Sequence, residues 1–88
     1  MDWPPAKDKP ERQRARISAM VKAIHPDCVA TFDESWIGGT VIKFRVDNAE
    51  SGRMVAGPSG EYESSEVADM SDQELERIIR SLPKRQPR

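Results

Sequence analysis

Two apolar stripes with helical spacing lie near opposite ends of this 88-residue chain and constrain its fold more than any other feature. The first comprises Ile17, Met20, Val21 and Ile24, and the second comprises Leu75, Ile78, Ile79 and Leu82. Residues at positions i, i+3, i+4 and i+7 share one side of an α-helix, so each stripe has to be buried against another element. The sequence therefore predicts one amphipathic helix near each end of a folded core.

Local signals mark the ends of these two helices. Pro10 suits the first turn of a helix, where its missing N–H would be unpaired anyway. Pro26 disfavours helical geometry at the residue before it, so the first helix is predicted to run from Pro10 to about Ile24. Ser71 and Glu74 have the Ser-x-x-Glu order of a capping box, which predicts that the second helix begins there.

Between the helices, the pattern changes from helical spacing to alternation. Residues 28–32, 40–46 and 53–56 are rich in strand-forming side chains and are separated by turn residues, which predicts three strands. Residues 61–65 are predicted to add a short fourth strand. In residues 40–46, apolar side chains alternate with Lys43 and Arg45, which is typical of a sheet with one face covered and one face open to water.

These elements predict an α+β fold. We expect a small three- to four-stranded antiparallel meander flanked by N- and C-terminal helices in the order α-β-β-β-α. Both helices are expected on one sheet face, because this arrangement buries all three apolar surfaces together. Residues 10–82 would form a single domain, with residues 1–9 as a flexible arm and residues 83–88 as a basic disordered tail.

The composition of the chain indicates the cellular compartment in which the protein is expected. No run approaches the roughly 18 to 20 consecutive apolar residues that cross a bilayer, and the N-terminus lacks the order of a signal peptide. Cys28 is the only cysteine, so the chain has no intramolecular disulfide, whereas secreted domains of this size usually need such links. We therefore expect a cytoplasmic protein with no membrane partner.

Few residues could support catalysis or hold a metal ion. His25 and Cys28 are the only histidine and cysteine, and zinc sites normally need three or four such ligands. The structural interpretation places His25 at a helix end and Cys28 in the core. The acidic pairs in the chain are better explained as solvated surface. We expect no enzyme activity, no metal ion and no cofactor.

The strongest candidate for a binding site is the link between the first two strands. Trp36 and Ile37 are bulky apolar residues beside Gly38-Gly39 at a predicted hairpin tip, and exposed aromatic residues on loops often anchor partners. Trp36 buried at the edge of the core is an equally weighted interpretation. With Lys43 and Arg45 on the open sheet face, these residues predict a small non-enzymatic protein-binding module.

Such modules include adaptors, assembly subunits and inhibitors of the kind carried by phages or mobile elements, and the sequence does not choose among them. The partner is expected to be another protein. The open sheet face or an exposed edge strand is also suited to forming a homodimer.

The alternative function is nucleic-acid binding through basic residues of the two helices and the tail. Residues 26–76 hold three basic and twelve acidic side chains, whereas residues 77–88 hold five basic and no acidic ones. Phosphate contacts need clustered cations, so this alternative requires that folding bring the two ends together. The candidate residues are Arg12, Arg14, Arg16, Arg77, Arg80, Lys84 and Arg85.

The predicted order of elements resembles the double-stranded RNA-binding domain. That family reads RNA with a Gly-Pro-x-His-type loop and with a basic cluster that opens its last helix. Here the corresponding positions are residues 33–39 and the acidic segment 71–74, so the resemblance covers topology and not RNA contacts. Four short segments lie within residues 16–46: Arg16-Ile17, Pro26, Asp33-Glu34-Ser35 and Phe44-Arg45-Val46. Together they resemble the first half of a BolA-like domain, but the chain lacks that family's downstream histidine in an Arg-His-Arg setting, so the resemblance does not imply an iron-sulfur partnership.

Overall fold

The structure is a computed structural model that describes residues 10–33 and 40–84. The elements in chain order are α1 (Pro10–Ile24), β1 (Cys28–Phe32), β2 (Val41–Ile42), β3 (Phe44–Asn48), β4 (Met54–Ala56), β5 (Tyr62–Glu63), α2 (Ser64–Asp69) and α3 (Asp72–Arg80). The predicted arm, residues 1–9, and residues 85–88 of the predicted tail lie outside the described residues.

Both predicted helices are present. α1 spans Pro10–Ile24, the range predicted from its two proline signals. Ser71 precedes α3, and its Oγ accepts a hydrogen bond from the backbone N–H of Glu74 at 3.1 Å. This bond satisfies one of the N–H groups that the start of a helix leaves unpaired, which is why α3 begins where the capping pattern indicates.

The main sheet is antiparallel, with strand order β1-β3-β4. β1 and β3 pair without a break, with Ala30 opposite Val46 and Phe32 opposite Phe44. Val46 also pairs with Ala56 of β4, and the register of the β3–β4 pair shifts between Val46 and Asp47. The predicted α+β class with an antiparallel sheet is therefore confirmed.

The strand predicted over residues 40–46 is divided at Lys43 between two sheets. β2 pairs with β5, Ile42 lying opposite Tyr62, while β3 belongs to the main sheet. Ser59 lies at the division, because its Oγ accepts from the N–H of Phe44 at 2.9 Å and its own N–H donates to the C=O of Phe44 at 2.7 Å. The predicted fourth strand thus exists as β5, but it pairs with β2.

The helix α2 was not expected from the pattern. The predicted strand over residues 61–65 gives way to helix at Ser64. The N–H of Glu63 donates to Oε1 of Glu66 at 3.1 Å, which stabilises a helix start with the spacing of a capping box. Val67 is the largest α2 residue in the core, and a single buried aliphatic residue leaves no periodic stripe in the sequence.

One core unites the two helical stripes and the sheet. Its central members are Ile17, Val21, Ile42, Phe44, Val46, Val67, Leu75 and Ile79, each at most 2% exposed. Because α1 and α3 bury their stripes in the same core as the inward side chains of β3, both helices lie on one side of the sheet, as predicted. Among the described residues, Val29 and Val55 are the large apolar residues that are exposed.

The end of the described chain returns to the sheet beside β4. The N–H of Gly57 donates to the C=O of Pro83 at 2.8 Å, and Ala56 forms an isolated antiparallel bridge with Lys84. The first two residues of the predicted tail are therefore hydrogen-bonded to the domain. None of the helices within residues 10–33 and 40–84 is long and apolar enough to cross a membrane.

Candidate functional site: a cleft at the end of the β1–β3 pair

A cleft of about 440 Å³ lies where β1 ends and β3 begins, and we refer to it as the β1–β3 cleft. It is lined by Thr31, Phe32, Asp33, Lys43, Phe44, Arg45 and Pro58. Two of the four predicted protein-binding residues, Lys43 and Arg45, are therefore brought together here. The other two, Trp36 and Ile37, lie outside the described residues.

The register of the two strands builds the walls of the β1–β3 cleft. Phe32 and Phe44 are directly opposite each other, and their ring centroids are 6.2 Å apart with an interplanar angle of 46°. The next pair along the strands is Thr31 with Arg45. Successive side chains of a strand point to opposite sheet faces, so the aromatic pair faces the core side and the polar pair faces the open side.

Arg45 is held in place by a buried carboxylate. Its Nε lies 3.1 Å from Oδ1 and 3.2 Å from Oδ2 of Asp47, whose side chain is only 8% exposed. Oδ2 also accepts a hydrogen bond from Oγ1 of Thr31 at 2.7 Å. Oδ1 accepts no hydrogen bond of good geometry within the described residues, so its attraction to Arg45 is electrostatic. A buried carboxylate needs such compensation, and here it fixes the Arg45 stem.

The guanidinium group of Arg45 keeps part of its bonding capacity. The side chain is 50% exposed, and the bond to Asp47 uses Nε. An arginine side chain carries five N–H donors in a rigid fork, so the two terminal amino groups are not used by this bond. A half-exposed arginine held by its Nε is suited to receiving a carboxylate from a partner.

The third wall is the turn after β4. Gly57 has φ of 117°, and a Cβ built there would lie 3.0 Å from both Cα and Cβ of Arg45. Only glycine allows this close approach of two backbones. The approach places Pro58 beside Arg45, and Ser59 then bonds to Phe44 as described above.

Cys28, the one cysteine of the sequence, lies in the core. Cys28 is 7% exposed, and burial, followed by the charges of Asp27 and Asp47, raises the pKa of its thiol above the ordinary value. A raised pKa lowers the thiolate fraction and hence the reactivity of the sulfur. No group of three or more metal-ligating side chains occurs within residues 10–33 and 40–84.

The basic residues proposed for nucleic-acid binding have different surroundings in the structure. Arg16 of α1 is partly buried. Its guanidinium donates to the C=O groups of Val67 and Met70 at 2.7 and 2.8 Å and to Oδ1 of Asp72 at 2.8 Å. A long side chain can reach around the helix, and here it joins α1 to α2 and α3.

The remaining basic candidates lie in different places. Arg80 donates to Glu76 one turn earlier in α3 at 2.8 Å, and Arg14 is partly buried. Arg77 lines a groove with Tyr62 and Pro83, while exposed Lys84 lies beside β4. Arg12 is exposed on α1, and Arg85 lies outside the described residues. Nucleic-acid binding therefore remains a prediction.

Sequence reasoning missed five residues that line the β1–β3 cleft, which are Thr31, Phe32, Asp33, Phe44 and Pro58. Thr31 and Phe32 were assigned to a strand and Pro58 to a turn, and no motif linked them. They meet because of the β1–β3 register and the close approach of Gly57 to Arg45, and both depend on residues that are distant in the sequence. Alternation in residues 40–46 was the one signal in this region, since it placed Lys43 and Arg45 on the open face.

Comparisons of the chain with protein-family models, with curated proteins and with solved structures found no match.

Proposed function

We propose that this chain is a small non-enzymatic protein-binding module and that the β1–β3 cleft is its binding surface. The observation that carries the proposal is the fixed position of half-exposed Arg45 in a cleft that partly exposed Phe32 also lines. Arginine and aromatic side chains dominate the binding energy of protein interfaces. The proposal also places the protein in the cytoplasm.

The arrangement reduces the entropy cost of binding. An arginine free to rotate loses on the order of 0.5–1.5 kcal/mol of side-chain freedom when a partner immobilises it. Arg45 is already restrained through Asp47, so part of that cost has been met during folding. Such preorganisation supports a role in recognition.

The chemistry of the cleft indicates the kind of partner surface that fits it. Lys43 and Arg45 favour a partner carboxylate, and partly exposed Phe32 with exposed Pro58 favours an adjacent apolar side chain. Trp36 follows Asp33 of the cleft by three residues along the chain. It is the natural second anchor in this proposal.

The test is affinity capture from the native cell extract, followed by binding measurements with the purified partner. Lys43→Glu reverses a cleft charge, and Trp36→Ala removes the proposed second anchor. Lys22→Glu is the matched control, because Lys22 is exposed in the last turn of α1 and lines no part of the cleft.

We expect wild type and Lys22→Glu to retain the same partner. Lys43→Glu should weaken binding by about tenfold or more, the effect expected of a central charged contact. Circular dichroism checks that all variants are folded. Equal capture by Lys43→Glu and Lys22→Glu would reject the β1–β3 cleft as the binding surface.

A further inference from the structure

The outer edge of β1 has the properties of a strand-pairing surface. β1 is at one end of the strand order β1-β3-β4, and no other described strand pairs with its outer side. Ala30 and Phe32 stay partly exposed although they point to the core side, whereas their partners Val46 and Phe44 on the central strand are buried. An edge strand presents a row of hydrogen-bonding groups that can template another strand.

Hydrogen bonds at both ends of β1 determine which backbone groups point outward. The N–H of Asp33 donates to the C=O of Lys43, and the N–H of Ala49 donates to the C=O of Asp27. In an antiparallel pair, such bonded positions recur every second residue. Positions 27, 29, 31 and 33 therefore bond toward β3, and Ala30 and Phe32 direct their N–H and C=O groups to the outer side of β1, where no described strand pairs.

The two edges of the sheet differ in protection. The β4 edge is closed by the bridge from Ala56 to Lys84 and by the bond from Gly57 to Pro83, and its strand pair contains a register shift. β1 consists of five residues, Cys-Val-Ala-Thr-Phe, and pairs with β3 over its whole length. It contains no charged residue, no proline and no bulge. Charges, prolines and bulges are the usual means of preventing edge pairing, and β1 has none of them.

We infer that β1 pairs with β1 of a second copy of this chain in an antiparallel, two-fold arrangement centred on Thr31. This register places Ala30 opposite Phe32 of the copy and uses the outward N–H and C=O groups of both residues. Thr31 would lie opposite its own copy, a cross-strand pair that favours sheet stability.

The charges at the ends of β1 select this register. A two-fold axis centred on Ala30 would place Asp27 opposite Asp33 of the copy, and like charges in that position are destabilising. Centring on Thr31 places Asp33 opposite uncharged Val29. The neutral strand between the two aspartates is thus self-complementary, as a two-fold interface requires.

The inferred dimer does not depend on the proposed protein-binding function. Dimerisation would nevertheless affect binding at the β1–β3 cleft. Thr31, Phe32 and Asp33 line the β1–β3 cleft, so the two-fold axis through Thr31 would place the clefts of two copies next to each other. The interface is one strand wide and is therefore expected to be weak and dependent on concentration.

The first test is sedimentation of the purified full chain from about 10 µM to about 1 mM, a range that spans weak association. The wild-type mass should rise from 9.9 kDa toward twice that value. Ala30→Pro removes an outward N–H that the β1–β3 pair does not use, which an edge strand tolerates. It should weaken association by about tenfold or more, while the control Ala30→Ser, which keeps the N–H, should not.

The second test determines the register by disulfide trapping in a Cys28→Ala background. Thr31→Cys should cross-link two copies, since directly opposite residues at a non-hydrogen-bonded position lie within disulfide reach. Val29→Cys lies on the same face, but the two copies of residue 29 would be roughly 13 Å apart along the strands and should not cross-link.

A wild-type chain that stays monomeric throughout this range would overturn the inference, as would equal dimerisation of wild type and Ala30→Pro. Cross-linking through Val29→Cys and not through Thr31→Cys would reject the register. These measurements use the purified chain alone, so they succeed or fail independently of partner capture through the β1–β3 cleft.

Discussion

The guanidinium group of Arg16 in α1 lies 2.8 Å from the carboxylate of Asp72 in the first turn of α3, 56 residues further along the chain. The same group donates to the C=O groups of Val67 and Met70, which close α2. One side chain therefore connects α1, α2 and α3. The carbonyl bonds are the stronger part of this contact, because Asp72 is 81% exposed and its charge is screened by water.

This difference predicts unequal effects of two substitutions. Arg16→Met should lower the free energy of unfolding by about 2–3 kcal/mol, because it leaves two carbonyl groups without a charged donor. Asp72→Asn removes the charge alone and should cost less than about 1 kcal/mol. Urea denaturation measures both values. A similar loss in the two variants would show that the ion pair, and not the carbonyl bonding, holds the helices together.

Ser59 is predicted to be important for the division between β2 and β3. Ser59→Ala leaves the buried N–H of Phe44 without its 2.9 Å acceptor and should cost about 1–3 kcal/mol of unfolding free energy. The matched control is Ser51→Ala, since the exposed Ser51 hydroxyl accepts only a 3.3 Å bond from Arg53. The control should change stability by less than about 0.5 kcal/mol. Equal denaturation midpoints would contradict the role of Ser59.

Gly57 is predicted to be the less replaceable of two glycines with positive φ. Gly57→Ala combines φ of 117° with a Cβ only 3.0 Å from the backbone of Arg45, whereas Gly52 has φ of 73° and open space around it. We expect a loss of about 3 kcal/mol or more for Gly57→Ala and about 1 kcal/mol for Gly52→Ala. Thermal denaturation compares them. A smaller loss at Gly57 would argue against the close approach that forms one wall of the β1–β3 cleft.

The pKa of Cys28 predicts how stability responds to alkaline pH. Burial, then Asp27 and Asp47, raise the pKa of the folded thiol above its ordinary value of 9.0, so the unfolded chain loses this proton first. The contribution of Cys28 to stability is therefore fully present below pH 9.0 and is lost as pH rises through the folded pKa. Chemical denaturation at increasing pH should show a steeper decline for wild type than for Cys28→Ala. Parallel declines in the free energy of unfolding of the two proteins would refute the raised pKa of Cys28. Both proteins contain the same lysine and tyrosine residues, so the comparison removes the effect of those groups.

Sequence patterns predicted the elements that depend on neighbouring residues. The bounds of α1 and the cap of α3 were correct because proline geometry and the Ser-x-x-Glu hydrogen bonds act within one turn. The burial of Ile42, Phe44 and Val46 was correct because alternation depends on strand geometry alone. Placing both helices on one sheet face followed from the need to bury three apolar surfaces.

The missed features depend on contacts between distant residues. α2 buries a single large side chain, Val67, and has no stripe to detect. Arg16 has the sequence position of a surface residue, and only the location of the end of α2 gives it acceptors. Residues 40–46 have one continuous alternating pattern, yet they form two strands in two different sheets. Ser59 bonds to Phe44 at the division, and β5 pairs with β2.

By itself, the sequence determined the type and approximate extent of the two main helices, the inward face of the central strand and the α+β class. These depend on periodicity and capping, which act over a few residues. Only the tertiary structure decided which strands pair, which described strands lie at the sheet edges and which side chains line the β1–β3 cleft. Those outcomes depend on register and on the approach of Gly57 to Arg45, and such long-range contacts form only when the whole core is assembled.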